Sequence, residues 1–273
     1  MTKTRVLVAV ILLPLLLIVV LALPKVCTAI LFGAMSAIAA YELLHNTGYV
    51  KHPRLIAYAA VMAFLVAIWS YAGRPYAWGL LGLVLYFSLL FLEMMASHVK
   101  LRFELVALCF CAGILIPFFF CSLVRIHAVD VTGRYFILIP FVVAFLSDSG
   151  AYFVGCKFGK HKLAPVISPK KSIEGVFGGF IGAIVGMLLY GLLLKVAFGF
   201  TVNFLYVIIY GVVGSLGCTF GDLCFSVIKR QTGIKDYGKL MPGHGGILDR
   251  FDSMMIVGPV IEILLLLIPM AVK

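Results

Sequence analysis

The residues best suited to chemistry lie between positions 215 and 252, where acids, bases and glycines alternate. Asp222 lies inside an apolar run, Lys229 and Arg230 follow at its end, and Asp249 and Asp252 precede the next run. Carboxylates hold hard cations, Lys and Arg bind phosphate oxygens, and glycine lets the backbone come close to a ligand. The pattern is typical of a site where a metal ion meets phosphates.

Asp222 is predicted to share one helical face with Ser226 and Lys229, which follow it by four and seven positions. This face would carry an acid inside the membrane, together with a hydroxyl and a base near the membrane surface. The alternative is an Asp222–Lys229 ion pair that only neutralises two charges in the bilayer.

A second polar stretch begins at Asp148, in an earlier apolar run, where Ser147, Ser149 and Gly150 flank it. A bare carboxylate is unfavourable in a bilayer, so we expect Asp148 to be functional and its neighbours to widen a polar pocket. The alternative is a structural hydrogen bond to a neighbouring helix. A basic segment, residues 155–162, follows and would lie at the lipid headgroups.

The segment 168–175, SPKKSIEG, is predicted to start a helix. Ser168 can cap a helix whose first residue is Pro169, which would leave free N–H groups beside Lys170 and Lys171. Such a helix start favours anions. The glycines that follow are mostly spaced at four positions and predict close helix packing; they lie at 175, 178, 179, 182 and 186.

The elements that position these residues are predicted to be membrane helices. The 273 residues are 63% hydrophobic and only 12% charged. Apolar runs of about 20 residues span a bilayer, and the chain has nine. They lie at 6–23, 26–44, 55–72, 76–95, 105–124, 135–154, 176–198, 204–225 and 254–272. The predicted fold class is an all-α polytopic membrane protein.

A cytoplasmic N-terminus places most of the 22 Lys and Arg residues, and both long polar loops (155–175 and 226–252), on the cytoplasmic side. This asymmetry and anionic lipids explain the net charge of +11 without nucleic acid. The seven cysteines show no CxxC pair and predict neither disulfides nor a zinc site. Glu42 and Glu93, near span ends, are predicted to be interfacial and structural.

The segment 226–252 resembles the signature of the phosphatidate cytidylyltransferases, also called CDP-diacylglycerol synthases. The resemblance is carried by Ser226, Lys229, Arg230, Lys235, Asp236, Pro242, His244, Gly245, Gly246, Asp249, Arg250 and Asp252. Segments 148–152 and 168–175 are also similar to the family. The likeness covers roughly the C-terminal half, so we divide the chain into a variable helical part, 1–130, and a catalytic part, 131–273, with two cytoplasmic loops.

The resemblance implies transfer of the cytidylyl group of CTP to phosphatidate, with release of pyrophosphate. It implies Mg²⁺, with K⁺ as an additional cation, on Asp222 and Asp249, and Asp252 is a third candidate ligand. The expected partners are CTP, phosphatidate and membrane lipids, without nucleic acid, and a homodimer is compatible with this prediction. The expected location is the inner (plasma) membrane, with a multi-pass chain and an active site that faces the cytoplasm.

Both expected substrates are polyanions, which gives the basic residues a role. The predicted phosphate-binding residues are Lys170, Lys171, Lys229, Arg230 and Arg250. Lys235, Asp236 and His244 would shape the nucleotide or pyrophosphate end. Ser172, Glu174, Ser226, Gly245 and Gly246 complete the predicted substrate site, and Asp148 joins Asp222, Asp249, Lys229 and Arg230 as a catalytic candidate.

Three alternatives remain at this point. An ion-coupled transporter would also use acids within membrane helices, but it explains the glycine–histidine loop and the lysines poorly. A related enzyme would use CTP on another membrane lipid. A CDP-alcohol phosphotransferase is disfavoured because its spaced aspartates on adjoining helices are missing.

Overall fold

The computed structural model describes residues 2–97, 101–241, 243 and 245–273, with side chains from residue 10 onward. The chain forms two compact units, which are described separately below. The first contains the chain up to Asp130 and the segment Thr232–Phe251. The second contains Val131–Gln231 and Asp252–Lys273.

The first unit is built from helices, most of which pack around α3. In chain order these are α1 (Thr2–Leu21), α2 (Lys25–Tyr41), α3 (Pro53–Tyr71), α4 (Tyr76–Ala96), α5 (Phe103–Phe110), α6 (Ile116–Phe120) and α7 (Ser122–Ala128). A π-helical turn, Glu42–Asn46, continues α2, and another, Cys111–Leu115, joins α5 to α6. Helix α2 packs along α3, and α3 also contacts α6 and α7.

The second unit combines long helices with two small antiparallel strand pairs. Its elements are α8 (Gly133–Phe136), α9 (Leu138–Phe158), β1 (Lys162–Ala164), β2 (Ser168–Ser172), α10 (Ile173–Phe198), β3 (Thr201–Val202) and α11 (Phe204–Thr232, whose last residue belongs to the first unit). The short α12 (Ile247–Phe251) lies in the first unit and contacts α2. The second unit ends with α13 (Met254–Leu267) and β4 (Ala271–Val272). Strand β1 pairs with β2, and β3 pairs with β4.

Helices α9 and α10 pack closely because glycines line their contact. A Cβ atom on Gly178 would collide with Val154, and one on Gly182 would collide with the carbonyl oxygen of Leu146. On the α9 side, a Cβ on Gly150 would collide with the carbonyl oxygen of Gly178. The predicted role of the glycine series in close helix packing is confirmed. The same contact assigns Gly150 to helix packing, whereas the sequence suggested that it widens a polar pocket.

The described chain contains seven helical segments that are long and apolar enough, by length and composition, to cross a membrane. They are Lys25–Asn46, Pro53–Tyr71, Tyr76–Ala96, Phe103–Ala128, Gly133–Phe158, Ile173–Phe198 and Phe204–Thr232. The first predicted span corresponds to α1, whose described side chains cover Val10–Leu21, and the ninth corresponds to a shorter apolar helix, Met254–Leu267. The protein is therefore a multi-pass membrane protein.

Helix α13 ends earlier than the sequence predicted because a proline follows it. Ile268, directly before Pro269, has φ −139° and ψ 68°, outside the helical region. Proline disfavours a helical conformation in the residue before it. The 14 residues of α13 correspond to about 21 Å of helix, shorter than the roughly 30 Å of a hydrocarbon core.

The predicted helix start at Ser168 and Pro169 is wrong. Residues Ser168–Ser172 form strand β2, and helix α10 begins at Ile173. Its N-cap is Ser172, whose Oγ accepts a hydrogen bond from the N–H of Gly175 at 3.1 Å. Pairing with β1 extends the backbone that carries Lys170 and Lys171, so both lysines lie in strand β2, and Lys171 directly precedes the N-cap of α10.

Candidate functional site

In the second unit, Asp222 forms an ion pair with Lys171. Helix α11 carries Asp222, and strand β2 carries Lys171. The Nζ atom of Lys171 lies 2.5 Å from Oδ2 of Asp222, and the two side chains are 25% and 29% exposed. Ser226, one turn further along α11, donates its hydroxyl to Oδ1 of Asp222 at 3.3 Å. The predicted common face of Asp222 and Ser226 is confirmed.

A second ion pair joins Lys229 to Asp252. Nζ of Lys229 lies 3.9 Å from Oδ2 of Asp252, and the side chains are only 14% and 11% exposed. Oδ1 of Asp252 accepts the N–H of Ser253 at 2.8 Å. A Cβ atom on Gly221 would lie 3.0 Å from the carbonyl oxygen of Asp252, so glycine lets this segment approach α11 closely. Lys229 thus pairs with an acid other than Asp222.

The carboxylates of this unit interact electrostatically. Burial, followed by the negative charge of Asp222, raises the pKa of Asp252 to about 7. Lys229 opposes this shift, and Asp148 adds to it. Negative charges held this close repel each other, and a cation or a basic side chain between them relieves that repulsion. Three acids of the predicted site, Asp148, Asp222 and Asp252, therefore lie near one another and near two lysines in this unit.

Asp148 lies on α9 and accepts a hydrogen bond from a cysteine on α11. The Sγ atom of Cys218 lies 3.4 Å from Oδ1 of Asp148. Ser147 contacts Ser215 through their hydroxyl oxygens at 2.8 Å, and Ser149 donates to the carbonyl of Phe145 on its own helix. Both serine hydroxyls are thus engaged in structural hydrogen bonds, and the widening of a pocket around Asp148 stays a prediction.

The other predicted residues on or beside the β1–β2 hairpin are two exposed bases and one acid that accepts hydrogen bonds. Lys170 is exposed on β2, and Arg230 is exposed and donates from Nε to the carbonyl of Ile167 at 3.0 Å. The Glu174 carboxylate accepts the N–H of Lys160 at 3.1 Å and lies 2.6 Å from Nδ1 of His161. Glu174 therefore fixes the turn that precedes β1.

In the first unit, the carboxylate of Asp249 organises the glycine-rich loop. Its Oδ2 accepts N–H groups from Tyr237 at 2.7 Å, Gly246 at 3.0 Å and Gly238 at 3.4 Å. Gly245 has φ +90°, which favours glycine, and a Cβ there would lie 2.8 Å from Oδ2 of Asp249. The loop glycines are thus required by the backbone conformation and by the closeness of a carboxylate.

Glu42 also belongs to this cluster, and the sequence predicted an interfacial and structural role for it. It is 3% exposed, in the π-helical turn after α2. Its Oε1 and Oε2 accept the N–H groups of Ile247 at 3.1 Å and Leu248 at 2.9 Å. In the sequence, Glu42 is an acid at the end of an apolar run. The same pattern is equally typical of an acid that is exposed to solvent.

The other predicted loop residues differ from Asp249 in their exposure to solvent. Lys235, Asp236 and Arg250 are exposed, and His244 lies outside the described residues. Across residues 2–97, 101–241, 243 and 245–273, no group of three or more His, Cys, Asp or Glu side chains is arranged to hold a metal ion. Mg²⁺ is usually held by one or two carboxylates that are completed by substrate oxygens.

The arrangement of acids and bases on a polytopic helical chain defines a class of membrane protein suited to phosphate chemistry. The model of the cytidylyltransferase family matches residues 3–268. The chain belongs to this family.

Curated proteins of staphylococci are similar to the chain over part of its length. The phosphatidate cytidylyltransferase of Staphylococcus saprophyticus is 44% identical over 134 residues, which are 49% of this chain and 50% of that protein. The enzyme of the same name from Staphylococcus epidermidis is 46% identical over 134 residues, with the same coverage. That from Staphylococcus haemolyticus is 44% identical over 140 residues, or 51% and 52%. The chain thus matches about half the length of these relatives.

Proposed function

We propose that the protein transfers the cytidylyl group of CTP to phosphatidate and forms CDP-diacylglycerol and pyrophosphate. This proposal rests on two ion pairs in the second unit, Lys171–Asp222 and Lys229–Asp252. Each places an ammonium group beside a carboxylate in a partly or largely buried position. Family membership and the name of the staphylococcal relatives support the same reaction.

In this reaction a phosphate oxygen of phosphatidate attacks the α-phosphorus of CTP, its bond to phosphorus forms, and pyrophosphate leaves with the electrons of the broken bond. The attacking oxygen is already anionic, so no strong general base is needed. Positioning and charge neutralisation carry the catalysis. Lys171 and Lys229 would turn from their carboxylates to phosphate oxygens, while exposed Lys170 and Arg230 attract the polyanionic substrates.

The donor set of the second unit fits Mg²⁺. Asp222 and Asp252 supply hard carboxylate oxygens, and Mg²⁺ is normally held by one or two carboxylates together with substrate phosphates. When bound, the ion would neutralise charge on the phosphates. The use of Asp249 as a further ligand, and of K⁺ beside Mg²⁺, stays a prediction from the resemblance.

The proposal also includes the membrane arrangement. We infer nine spans with a cytoplasmic N-terminus in the inner (plasma) membrane, because the Lys and Arg asymmetry of the loops supports this topology. The lipid tail of phosphatidate would stay in the bilayer, and CTP would enter from the cytoplasm. A homodimer stays a prediction that the mass of the protein in detergent would test.

The decisive experiment is turnover by purified protein in detergent. Phosphatidate is supplied with CTP, dCTP, ATP or UTP in the presence of Mg²⁺, and product lipid is measured. We expect lipid product from the cytidine nucleotides, and loss of product when Mg²⁺ is replaced by EDTA. Absence of product with CTP and phosphatidate would reject the proposed reaction.

Two further measurements separate the alternatives. Replacing phosphatidate by a polyprenyl phosphate tests an enzyme that uses CTP on another lipid. Ion flux into liposomes that contain the protein tests a transporter. The proposed function requires product with phosphatidate and no ion flux above protein-free liposomes.

A further inference from the structure

Glu42 is a buried acid, and its described hydrogen bonds go to one segment of the first unit, the start of α12. The π-helical turn Glu42–Asn46 places both of its carboxylate oxygens on backbone N–H groups at the start of α12. From the same turn, Nδ2 of Asn46 donates to the carbonyl of Tyr237 at 2.6 Å. The turn therefore holds the loop at two points, near residue 237 and at residues 247–248.

The loop glycines are fitted to the Glu42 carboxylate. A Cβ atom on Gly246 would collide with Oε1, Cδ and Oε2 of Glu42, which are its three nearest atoms. A Cβ on Gly238 would collide with Oε1 of the same side chain. At these positions the Glu42 carboxylate leaves no room for a Cβ atom. Glycine therefore accommodates the carboxylate as well as the turn of the chain.

Glu42 and Asp249 hold neighbouring groups of one backbone segment. Glu42 binds the N–H groups of Ile247 and Leu248, and Asp249 binds the N–H of Gly246. A change at residues 246–248 would turn the backbone that directly precedes Asp249. The orientation of Asp249 and of the following Arg250 therefore depends on Glu42.

We propose that Glu42 is a positioning residue, which fixes residues 246–249 so that Asp249 and Arg250 are presented in one orientation for the transfer reaction. This inference rests on the proposed function. Glu42 acts through the loop backbone and takes no part in bond formation. Loss of its two charge-assisted hydrogen bonds is expected to release the loop while the helices stay folded.

The first test measures hydrogen exchange of the backbone, which requires no activity. Gln at position 42 keeps one acceptor oxygen, whereas Ala keeps none. In Glu42→Gln, exchange at residues 246–248 is expected to accelerate about tenfold, and in Glu42→Ala about a hundredfold. Peptides from α10 should be unchanged. The matched control is Glu93→Gln, because Glu93 accepts from Tyr58 and contacts Arg54 away from this loop.

The second test measures kcat and KM for CTP in the same purified proteins. kcat is expected to fall about tenfold in Glu42→Gln and up to about a hundredfold in Glu42→Ala, in the order of the exchange rates. Glu93→Gln should keep the wild-type values. Gly246→Ala should lower kcat by itself but add nothing to Glu42→Ala, because the atoms that it would strike are gone.

Unchanged exchange at residues 246–248 in both Glu42 variants would overturn the inference. Faster exchange with unchanged kcat would also overturn it, since the loop would then be held by Glu42 without consequence for the reaction. If the wild-type protein forms no lipid product, the proposed function fails, and the exchange measurement still decides whether Glu42 holds the loop.

Discussion

At the scale of single residues, the ion pairs of the second unit are partly withdrawn from water. The Lys171 and Asp222 side chains are about three-quarters covered, so breaking the pair without a substitute leaves a poorly solvated charge. A phosphate for Lys171 and a cation for Asp222 would replace both partners at once. Under the proposed function, this exchange would give the pair a use in binding that a surface ion pair would lack.

In Asp222→Asn, kcat for lipid product formation is expected to fall by at least about a hundredfold, while the protein still folds. Asparagine keeps the shape of the side chain and can still accept from Ser226, but it loses the charge that Lys171 and a cation require. The measurement is kcat at saturating Mg²⁺, with melting temperature as the folding check. Asp130→Asn, an exposed acid of the first unit, serves as control. Near-normal turnover of Asp222→Asn would make Asp222 a structural carboxylate.

At the scale of elements, α9 and α10 form the most extensive helix contact of the second unit. Its glycines bring two backbones close together, which strengthens van der Waals packing where lipid offers no hydrophobic driving force. Asp148 lies on α9, and Lys171 lies directly before the N-cap residue of α10. The spacing of these two helices therefore decides where both side chains lie.

Gly182→Ala is expected to destabilise the protein by about 1–3 kcal/mol, because overpacking forces the helices apart. The new Cβ would strike the carbonyl oxygen of Leu146 and lie 3.2 Å from Cα of Gly150. Gly82→Ala on α4 is the matched control, since a Cβ there meets only the terminal methyl group of Met62, at 3.6 Å. Melting temperatures in detergent compare the two. Equal melting temperatures for both variants would contradict the packing role of Gly182.

Ser172→Ala is expected to destabilise the protein by about 1 kcal/mol through loss of the α10 cap. Ser168→Ala should have a smaller effect, because Ser168 lies in β2 and caps no helix. Chemical or thermal unfolding of both variants gives the comparison. A larger loss for Ser168→Ala would restore the helix start that the sequence suggested.

At the scale of the whole molecule, the excess of basic residues must be distributed across a membrane. The chain carries 22 Lys and Arg residues against 11 acids, and the loops that hold most bases are expected to face the cytoplasm. Substrate polyanions that approach from that side would meet a positive field.

Single cysteines at positions 162 and 239, placed in a cysteine-free background, are expected to react with an impermeant thiol reagent only after cells are opened. Lys162 and Lys239 are both exposed, so replacement should not disturb packing. A cysteine at Arg74, in the loop between α3 and α4, is the opposite control and should react in intact cells. Labelling of position 162 or 239 in intact cells would reject the nine-span topology.

Local sequence patterns determined which residues share a helix face and where the close helix contacts lie. Helical periodicity placed Asp222 and Ser226 on one face, and the spacing of the glycines in α10 indicated the contact with α9, because both depend on neighbours within a turn or two. The residues that carry the family resemblance could also be recognised from their order alone.

Only the tertiary structure decided which acid meets which base. The sequence offered Lys229 as a partner for Asp222, but strand β2 brings Lys171 to Asp222, and Lys229 pairs with Asp252. Glu42 reaches an N–H group 205 positions away, and β1–β2 pairing displaced the expected start of α10. Such contacts depend on how distant elements pack, and local propensity carries no information about a partner that the chain brings close only after it folds.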